Sequence, residues 1–513
     1  MQHYDVVIVG GGHNGLTAAA YLAKAGKSVL LLERLDYLGG AATSSYTFEG
    51  VGAKLSRYSY LVSLLPDQVV KDLGLNIQLA KRRYSSYTPN PGSAKGLLID
   101  REDQSATKAS FASVGAGADF ASWNEFYSQT EVLAKKLFPS VTEPLKTRSA
   151  VKAELGPLFA PFFEEPIGLE IEKRFSSDLV RGVVLTDALI GTFAANRDEA
   201  LDANRCFLYH VIGGGTGDWN IPVGGMGVVS GEIASAAQRF GAELVQGALV
   251  TQISQTKTVT YTKDGQSLKV SADFVLSGVS QTQLAKLTGA FEPEIVQGAQ
   301  VKVNMLLKRL PKLKDESLSP EAAFGGTFHI NETYDQLQRA YLEAGAGRIP
   351  DPLPCEIYCH SLTDPSILSD DLQAEGAQTL TVFALHMPHS LLRHMTNDEL
   401  RVKAQAAILR SLNSVLAEPI EDLLYLQPDG SPCIETKTTQ DLEEALGLPG
   451  GNIFHSPLSW PFAEDDEDLS TAEGRWGVAT GLPGIFYCGS SAKRGGAVSG
   501  IAGHNAAMAV LES

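Results

Sequence analysis

Cysteine is scarce in this sequence of 513 residues, and its distribution excludes two kinds of site. No two cysteines form a C-x-x-C pair, so the sequence predicts neither a disulfide-reductase dithiol nor a zinc knuckle. Their odd number and scattered positions indicate buried free thiols instead. The five cysteines are Cys206, Cys355, Cys359, Cys433 and Cys488.

Clusters of metal-ligating residues are also missing. Three of the ten histidines lie close together in the segment HMPHSLLRH at 386–394. This segment contains a proline and has no carboxylate at ligand spacing, so we expect no metal site. No Ser-His-Asp set or pair of catalytic carboxylates is recognisable either.

Basic residues are too few for a nucleic-acid-binding protein. The chain has 42 Lys and Arg against 59 Asp and Glu, a formal net charge of −17, whereas phosphate contacts need clustered positive charge. No apolar run approaches the roughly 20 residues that cross a bilayer, and the N-terminus leads directly into a strand-like segment. We therefore expect a cytoplasmic protein. Contact with a membrane surface stays open, because Leu155–Phe163 (LGPLFAPFF) is an apolar and aromatic patch that burial would also explain.

The most informative stretch is the N-terminal glycine-rich segment. Val6–Val9 is a short apolar run, as in a strand covered on both faces. Gly10, Gly12 and Gly15 follow with G-x-G-x-x-G spacing, which allows a tight turn, close approach of a pyrophosphate, and close helix–strand packing. Leu16–Ala25 is alanine-rich and predicts a helix whose positive end points at the phosphates. The order strand, turn and helix predicts a dinucleotide site.

The residues after this helix favour FAD over NAD as the dinucleotide. Val29–Leu32 predicts a second strand, and Glu33 stands where a carboxylate can accept both ribose hydroxyls of an adenosine. Arg34 and a second glycine turn that includes Gly40 and Ala41 continue directly from this acid. Such a turn offers a longer ligand more backbone to lie against, and an NAD site does not need it.

The length of the chain predicts more than one domain. We expect an α/β fold with a discontinuous Rossmann-type FAD-binding domain and an interleaved α+β substrate domain. The FAD-binding domain is predicted at 1–80, 210–290 and 447–513, a helical substrate or lid region at 81–209, and a substrate domain with a sheet at 291–446. In the last of these, strand-like runs at 300–308, 356–362 and 380–386 predict a sheet that forms the floor of a cavity.

Two further segments leave alternatives open. The amphipathic stretch 164–192 is typical of a core helix pair, but it would also serve as the wall of a substrate cavity. Arg57 fits a flavin phosphate or substrate contact and a solvated surface position equally well.

The C-terminal segment predicts a second contact with the cofactor. Ile485–Cys488 is strand-like, and Gly489 turns the chain after it. Gly495 and Gly496 keep side chains away from a flat ring. A helix at 499–510 would direct its N-terminus at the pyrimidine edge of a flavin, where negative charge accumulates on reduction.

These motifs resemble those of a known enzyme family over almost the whole chain. The segments GGGHNGLTAAAYL, GGAATS, PVGGMG, GLPGGNIFH and YCGSSAKRGGAVSGIAGHNAA are similar to those of the phytoene desaturase family of FAD-dependent oxidoreductases. The most similar branch is the pyridine nucleotide-disulfide oxidoreductase domain-containing protein 2 group. The resemblance implies a long apolar tunnel and desaturation, oxidation or isomerisation of a hydrophobic molecule such as a carotenoid. It implies FAD contacts at Gly10, Gly12, Gly15, Glu33, Arg34, Gly40, Ala41, Val250, Gly489, Gly496 and Val498.

The expected mechanism assigns the chemistry to the flavin, which takes a hydride from a C–H bond of the substrate, with oxygen or a quinone as the electron acceptor. His455 is a candidate for proton handling. Lys493 and Arg494 stand where relatives often have His-Pro and are candidates for stabilising reduced flavin. Two other functions stay open: a flavin-binding regulatory or assembly protein, and an amine oxidase, for which carboxylates and an aromatic cage in the cavity would be diagnostic.

Overall fold

A computed structural model describes residues 1–513 and contains two seven-stranded sheets. The strands are β1 Gln2–Val9, β2 Val29–Leu32, β3 Ser44–Tyr46, β4 Lys54–Ser56, β5 Leu79–Ala80, β6 Tyr84–Pro89, β7 Gly96–Asp100, β8 Ile221–Pro222, β9 Glu243–Val245, β10 Leu249–Ile253, β11 Thr258–Lys263, β12 Gln266–Ser277, β13 Val301–Leu307, β14 Thr327–Ile330, β15 Cys355–Tyr358, β16 Gln378–Ala384, β17 Ile434–Lys437 and β18 Ile485–Tyr487.

Nineteen α-helices connect and cover these sheets. They are α1 His13–Lys24, α2 Asp67–Leu73, α3 Gln104–Ser113, α4 Phe120–Leu137, α5 Arg148–Leu155, α6 Phe159–Phe163, α7 Ile167–Arg174, α8 Asp178–Leu185, α9 Asp202–Val211, α10 Met226–Arg239, α11 Gln281–Thr288, α12 Pro320–Phe324, α13 Tyr334–Gly345, α14 His360–Thr363, α15 Asp370–Glu375, α16 Asn397–Val415, α17 Thr439–Leu446, α18 Ala472–Arg475 and α19 Ile501–Glu512.

The first sheet has a parallel centre and collects strands from both ends of the chain. Its order is β10-β11-β12-β1-β2-β9, with β18 also pairing with β12. The pairs β12–β1, β1–β2, β2–β9 and β12–β18 are parallel, whereas β10, β11 and β12 form an antiparallel meander. Helices α1, α10 and α19 pack together beside this sheet, as expected for parallel strands that are covered on both faces. The predicted α/β class with a Rossmann-type unit is confirmed.

The second sheet is largely antiparallel and has the order β17-β13-β16-β15-β14-β6-β7. Only β14 and β6 pair in parallel. One face packs on α16 around a core that includes Val303, Ile357 and Ile408. The opposite face carries polar side chains, because side chains alternate between the two faces along each strand.

The strand predicted at 356–362 is shorter than expected. β15 ends at Tyr358, and α14 begins at His360. The hydroxyl of Ser361 accepts a hydrogen bond of 2.8 Å from the backbone N–H of Thr379 on the neighbouring strand. A side chain thus takes the place of the ladder bond that a longer strand would have made.

A third core lies between the helices of 104–212 and accounts for the aromatic patch at 155–163. Phe159, Phe162 and Phe163 are all buried there, with the ring of Phe162 beside that of Phe207. The patch is core, and it presents no aromatic surface to a membrane. None of the helices has the length and apolarity needed to cross a bilayer.

The free cysteines agree with the sequence-based prediction. All five are buried and none is paired in a disulfide. Burial raises the pKa of the Cys359 thiol to about 11 and that of Cys206 to about 12. These groups are therefore neutral and unreactive at physiological pH.

Candidate active site

A single cavity of about 830 Å³ connects the two sheets. At one end it is lined by the glycine turn after β1, and at the other by the polar face of the second sheet. All eleven residues that the sequence predicts as FAD contacts line it: Gly10, Gly12, Gly15, Glu33, Arg34, Gly40, Ala41, Val250, Gly489, Gly496 and Val498. Their role in binding stays a prediction, but the structure brings them to one site.

The glycine turn has the geometry that a pyrophosphate requires. Gly10 has a φ of +103°, which glycine adopts without strain, and a Cβ atom on Gly15 would stand 2.2 Å from the carbonyl oxygen of Gly10. Gly12 forms a bridge with Gly39 of the second glycine turn. α1 begins at His13, and the residues from Gly12 to Gly15 line the cavity, so the free N–H groups of its first turn lie at the cavity wall.

Glu33 at the end of β2 is fixed by two backbone donors. The N–H of Gly11 donates to Oε2 at 2.7 Å, and the N–H of Leu35 donates to Oε1 at 2.8 Å. An ionised carboxylate has about four lone-pair sites, so each oxygen keeps capacity for a further donor. Glu33 lines the cavity and can accept a pair of ribose hydroxyls there.

The C-terminal segment closes the same end of the cavity. A Cβ atom on Gly489 would lie 2.6 Å from the carbonyl oxygen of Gly278, so this turn has room only for glycine. Gly496 has a φ of +111° and Gly500, with a φ of +73°, precedes α19. The N-terminus of α19 therefore lies close to Val498, which lines the cavity.

Only one of the three predicted catalytic residues lines the cavity. His455 lines the cavity. Lys493 does not, and its ammonium group pairs with Glu467. Arg494 also lies outside the lining, because its buried guanidinium donates to the carbonyl oxygens of Ser140, Glu143 and Trp476 at 2.9, 2.6 and 2.9 Å.

Neither Lys493 nor Arg494 lines the cavity, and their role in stabilising reduced flavin stays a prediction. Arg494 holds the loop between β18 and α19 against the segment that follows α4. Arg57 does not line the cavity and its side chain is 34% exposed, so the structure favours a surface position over a contact with a flavin phosphate or substrate. Its guanidinium pairs with Glu435, with one N–H···O distance of 3.0 Å.

A second histidine at the site was not singled out from the sequence. His13, the first residue of α1, lines the cavity, and its Nε2 lies 3.1 Å from the carbonyl oxygen of Ala497. Burial lowers the pKa of His13 to about 4. Burial, with His13 nearby, lowers the pKa of His455 to about 4 as well. Both imidazoles are neutral at pH 7, and the position of His13 inside the glycine motif was the available signal.

The floor of the cavity is a row of side chains across the second sheet. Phe383 of β16 stands opposite Lys302 on one side and opposite Glu356 on the other, and Glu356 stands opposite His329. The Nδ1 atom of His329 lies 3.1 Å from the hydroxyl of Thr88. This sheet forms the predicted floor. In the sequence, polar residues occupy every second position of β14 and β15, and this alternation indicates that one face of the sheet is polar.

Carboxyl groups gather at this floor. Glu356 and Asp187 line the cavity, and Glu332 lies directly behind them. Burial raises the pKa of Glu356 to about 8 and that of Asp187 to about 7, and raises the pKa of Glu332 well above its ordinary value. The hydroxyl of Tyr358 donates to Glu356 Oε2 at 2.7 Å.

Aromatic rings and two buried cations, Arg82 and Lys302, surround the chamber, and Lys302 lies over the ring of Tyr60. The rings of Tyr60 and Tyr358 have centroids 4.7 Å apart, and the ring of Phe383 lies 6.3 Å from that of Tyr60. The guanidinium of Arg82 lies over Tyr358 and donates to the hydroxyl of Thr327 at 3.2 Å. This end of the cavity has polar and aromatic side chains, and the long apolar tunnel that the resemblance implies stays a prediction.

The helix stretch at 164–192 proves to serve both suggested purposes. Leu179 and Val180 on α8 are buried in the helical core. Val183, Asp187 and Ile190 line the cavity. The stretch is core on one side and cavity wall on the other.

Comparison with known proteins supports the dinucleotide-binding fold. Residues 8–71 match the family described as NAD(P)-binding Rossmann-like domain. A putrescine oxidase variant has a TM-score of 0.60 with 17% identity, over 100% of this chain and 99% of that one. At this identity the similarity establishes a shared fold.

Two relatives match along almost their full length. The rat (Rattus norvegicus) pyridine nucleotide-disulfide oxidoreductase domain-containing protein 2 is 28% identical over 99% of this chain and 93% of its own. The Mycobacterium tuberculosis protein named "Uncharacterized protein Rv0897c" is 53% identical over 99% of this chain and 97% of its own. The chain therefore belongs to the same protein family as this mycobacterial protein.

Proposed function

We propose that this protein is an FAD-dependent oxidoreductase that removes a hydride from a C–H bond of a small organic substrate. The observation that carries the proposal is the single cavity, which joins the glycine turn of a Rossmann-type sheet to a chamber of functional side chains. A long dinucleotide and a second molecule can meet in such a space.

The residues present fit FAD. Gly15 and Gly489 stand where any side chain would overlap a backbone carbonyl, so the turns around them keep backbone N–H groups accessible. Glu33 would accept the ribose hydroxyls, and the first turn of α1 would donate to the pyrophosphate. When bound, FAD supplies the hydride acceptor. The N-terminus of α19 would stabilise negative charge at the pyrimidine edge.

The substrate is proposed from the resemblance and from the chamber. A hydrophobic isoprenoid or other lipid-like molecule, as in phytoene desaturase-like enzymes, is supported by apolar lining residues such as Ile190, Ile453 and Phe454. An amine is a second candidate, and the carboxyl groups at the floor favour it. We propose oxygen or a quinone as the acceptor that reoxidises the flavin.

Anaerobic reduction of the purified protein tests the function. The protein should be yellow, and a panel of alkylamines and isoprenoid lipids should contain a compound that bleaches the flavin absorbance. Readmitted oxygen or added quinone should restore the colour. Unchanged absorbance across both classes would favour a flavin-binding regulatory protein, and a colourless protein that does not take up FAD would contradict the proposal.

A further inference from the structure

Two of the buried carboxyl groups compete for one hydroxyl proton. The Oγ1 atom of Thr186 lies 2.8 Å from Glu332 Oε2 and 3.1 Å from Glu356 Oε1. A hydroxyl has a single proton and can donate to one of them at a time. The other oxygen needs a proton of its own or a positive charge nearby.

The remaining oxygen of Glu332 has no partner. The residue is 1% exposed, and Oε1 makes no hydrogen bond. The ligand-forming atoms of Glu332, Glu356 and His329 all lie within 4.8 Å of one another. A buried carboxyl oxygen without a partner is costly, and it indicates that a hydrogen-bond donor belongs there.

The positive groups around the cluster do not neutralise it. No Lys or Arg nitrogen lies within 4.0 Å of a carboxyl oxygen of Asp187, Glu332 or Glu356. The basic side chain nearest to Glu332 is His329, whose Nδ1 atom lies 4.0 Å from Glu332 Oε2. Burial lowers the pKa of His329 to about 3, so this ring is neutral.

Two arginines face the cluster from other elements, and the buried ammonium of Lys302 lies over the nearby ring of Tyr60, where it donates to the carbonyl oxygens of Ser56 and Tyr58. Arg82 is occupied by the carbonyl oxygen of Trp219 and the hydroxyl of Thr327. Arg101 is paired with Asp218. Both contribute long-range attraction, which opposes the effect of burial on the nearby carboxyl groups without pairing with them.

We propose that Asp187 and Glu356, with Glu332 behind them, form the subsite that receives the positively charged nitrogen of an amine substrate. The inference rests on the proposed oxidoreductase function and selects between its two substrate classes. An ammonium group offers N–H donors to the carboxyl oxygens of Asp187 and Glu356, which line the cavity.

Binding at this subsite includes a balanced proton step. Because burial raises the pKa of Glu356 to about 8 and that of Asp187 to about 7, protons reside on the cluster at pH 7 before the ligand enters. The arriving ammonium favours the ionised form. One carboxyl O–H bond breaks, the proton passes to the buffer, and an N–H···O hydrogen bond forms.

Calorimetric titration of the FAD-loaded protein tests this subsite without turnover. The probe is tert-butylammonium, which has no C–H bond next to nitrogen and so cannot form an imine, and tert-butanol is its neutral analogue. We expect the ammonium to bind at least about tenfold more tightly than the alcohol. Titrations at pH 7 in buffers of different ionisation heat should show net proton release.

Variants connect the preference to the named residues. Glu356→Gln should remove most of the tenfold preference, and Glu332→Gln should weaken it. Glu49→Gln makes the same isosteric change at an exposed position whose side chain makes no hydrogen bond, and it should behave as wild type. If Glu356→Gln fails to fold, as judged by circular dichroism, Asp187→Asn takes its place.

Three results would contradict the proposed ammonium subsite. One is equal affinity for the two probes, and another is an ammonium preference that survives both glutamate variants. The third is a stoichiometric divalent metal in the purified wild-type protein that Glu332→Gln loses. The flavin spectrum is recorded separately, so a yellow protein without ammonium preference refutes the subsite alone, and a colourless protein refutes the oxidoreductase function.

Discussion

Gly15 approaches Gly10 so closely that a Cβ atom on Gly15 would stand 2.2 Å from the Gly10 carbonyl oxygen. This contact fixes the start of α1 against the end of β1 and sets the shape of the turn between them. The geometry of the dinucleotide end of the cavity thus depends on the absence of a side chain at Gly15.

Replacing Gly15 with alanine should displace the turn and abolish retention of FAD. Overpacking of this kind costs roughly 1–3 kcal/mol in stability. The checks are flavin absorbance after gel filtration and thermal unfolding. Gly231→Ala in α10 is the matched control, since no atom lies within 4 Å of the added Cβ, and it should keep FAD and be equally or more stable. Normal flavin content in Gly15→Ala would refute this role of the contact.

Replacing Glu33 with glutamine should weaken FAD binding by about tenfold or more, because a neutral amide accepts hydrogen bonds less strongly than a carboxylate. The Gly11 N–H would keep an oxygen acceptor in one orientation of the amide. Fluorescence titration of the apoprotein with FAD measures the change. Glu49→Gln controls for the loss of a negative charge, and unchanged affinity in Glu33→Gln would remove this residue from the site.

Arg494 and Lys493 should differ sharply in their contribution to stability. Arg494→Met leaves three carbonyl oxygens without their donor, which should lower the free energy of unfolding by about 3 kcal/mol. Lys493→Met removes one partly exposed ion pair and should change it by less than about 1 kcal/mol. Urea unfolding of both variants gives the comparison. A similar small effect in both would contradict the structural role assigned to Arg494.

The pH dependence of stability should reveal the buried acid at the cavity floor. Burial raises the folded-state pKa of Glu356 to about 8, from an ordinary value of 4.5. Between these two pH values the folded state binds more protons than the unfolded state. The contribution of Glu356 to the stability of the protein is therefore lost as the pH rises from about 4.5 to about 8. The slope from one such group reaches about 1.4 kcal/mol per pH unit.

Glu356→Gln cannot titrate, so relative to wild type it should gain stability steadily as the pH rises through this window. The comparison is made at each pH, because buried histidines such as His455 titrate with the opposite sign in part of the same range. Parallel curves of stability against pH for wild type and Glu356→Gln would show that folding does not raise the pKa of Glu356.

The cysteine thiols should be unreactive in the folded protein. All five cysteines are buried, and burial raises the pKa of each thiol. A thiol-specific chromogenic reagent should label none of them rapidly in native buffer and all five in denaturant. Rapid labelling of a single thiol in the native protein would identify a local opening that the structure does not contain.

The dinucleotide end of the cavity was predictable from sequence because its requirements are local. A tight turn, a close approach and a ribose acceptor each demand one residue type at a fixed spacing, as at Gly10, Gly15 and Glu33. The buried free cysteines followed from composition and spacing. The domain limits and the individual FAD contacts stay predictions, although the contacts line one cavity.

The chemical character of the other end was not predictable in this way. Asp187, His329 and Glu356 are separated by up to 169 positions and give no local pattern. The position of Lys493 and Arg494 outside the cavity lining was not predictable either, because proximity in sequence to a glycine turn does not fix the direction of a side chain.

The sequence by itself determined the Rossmann-type unit, since glycine conformations, strand and helix patterns and the acid after β2 are properties of neighbouring residues. Only the tertiary structure decided that the cavity floor is acidic and aromatic. That outcome depends on strand register, which places Glu356 opposite His329 and Phe383, and on the burial that raises the pKa of its carboxyl group.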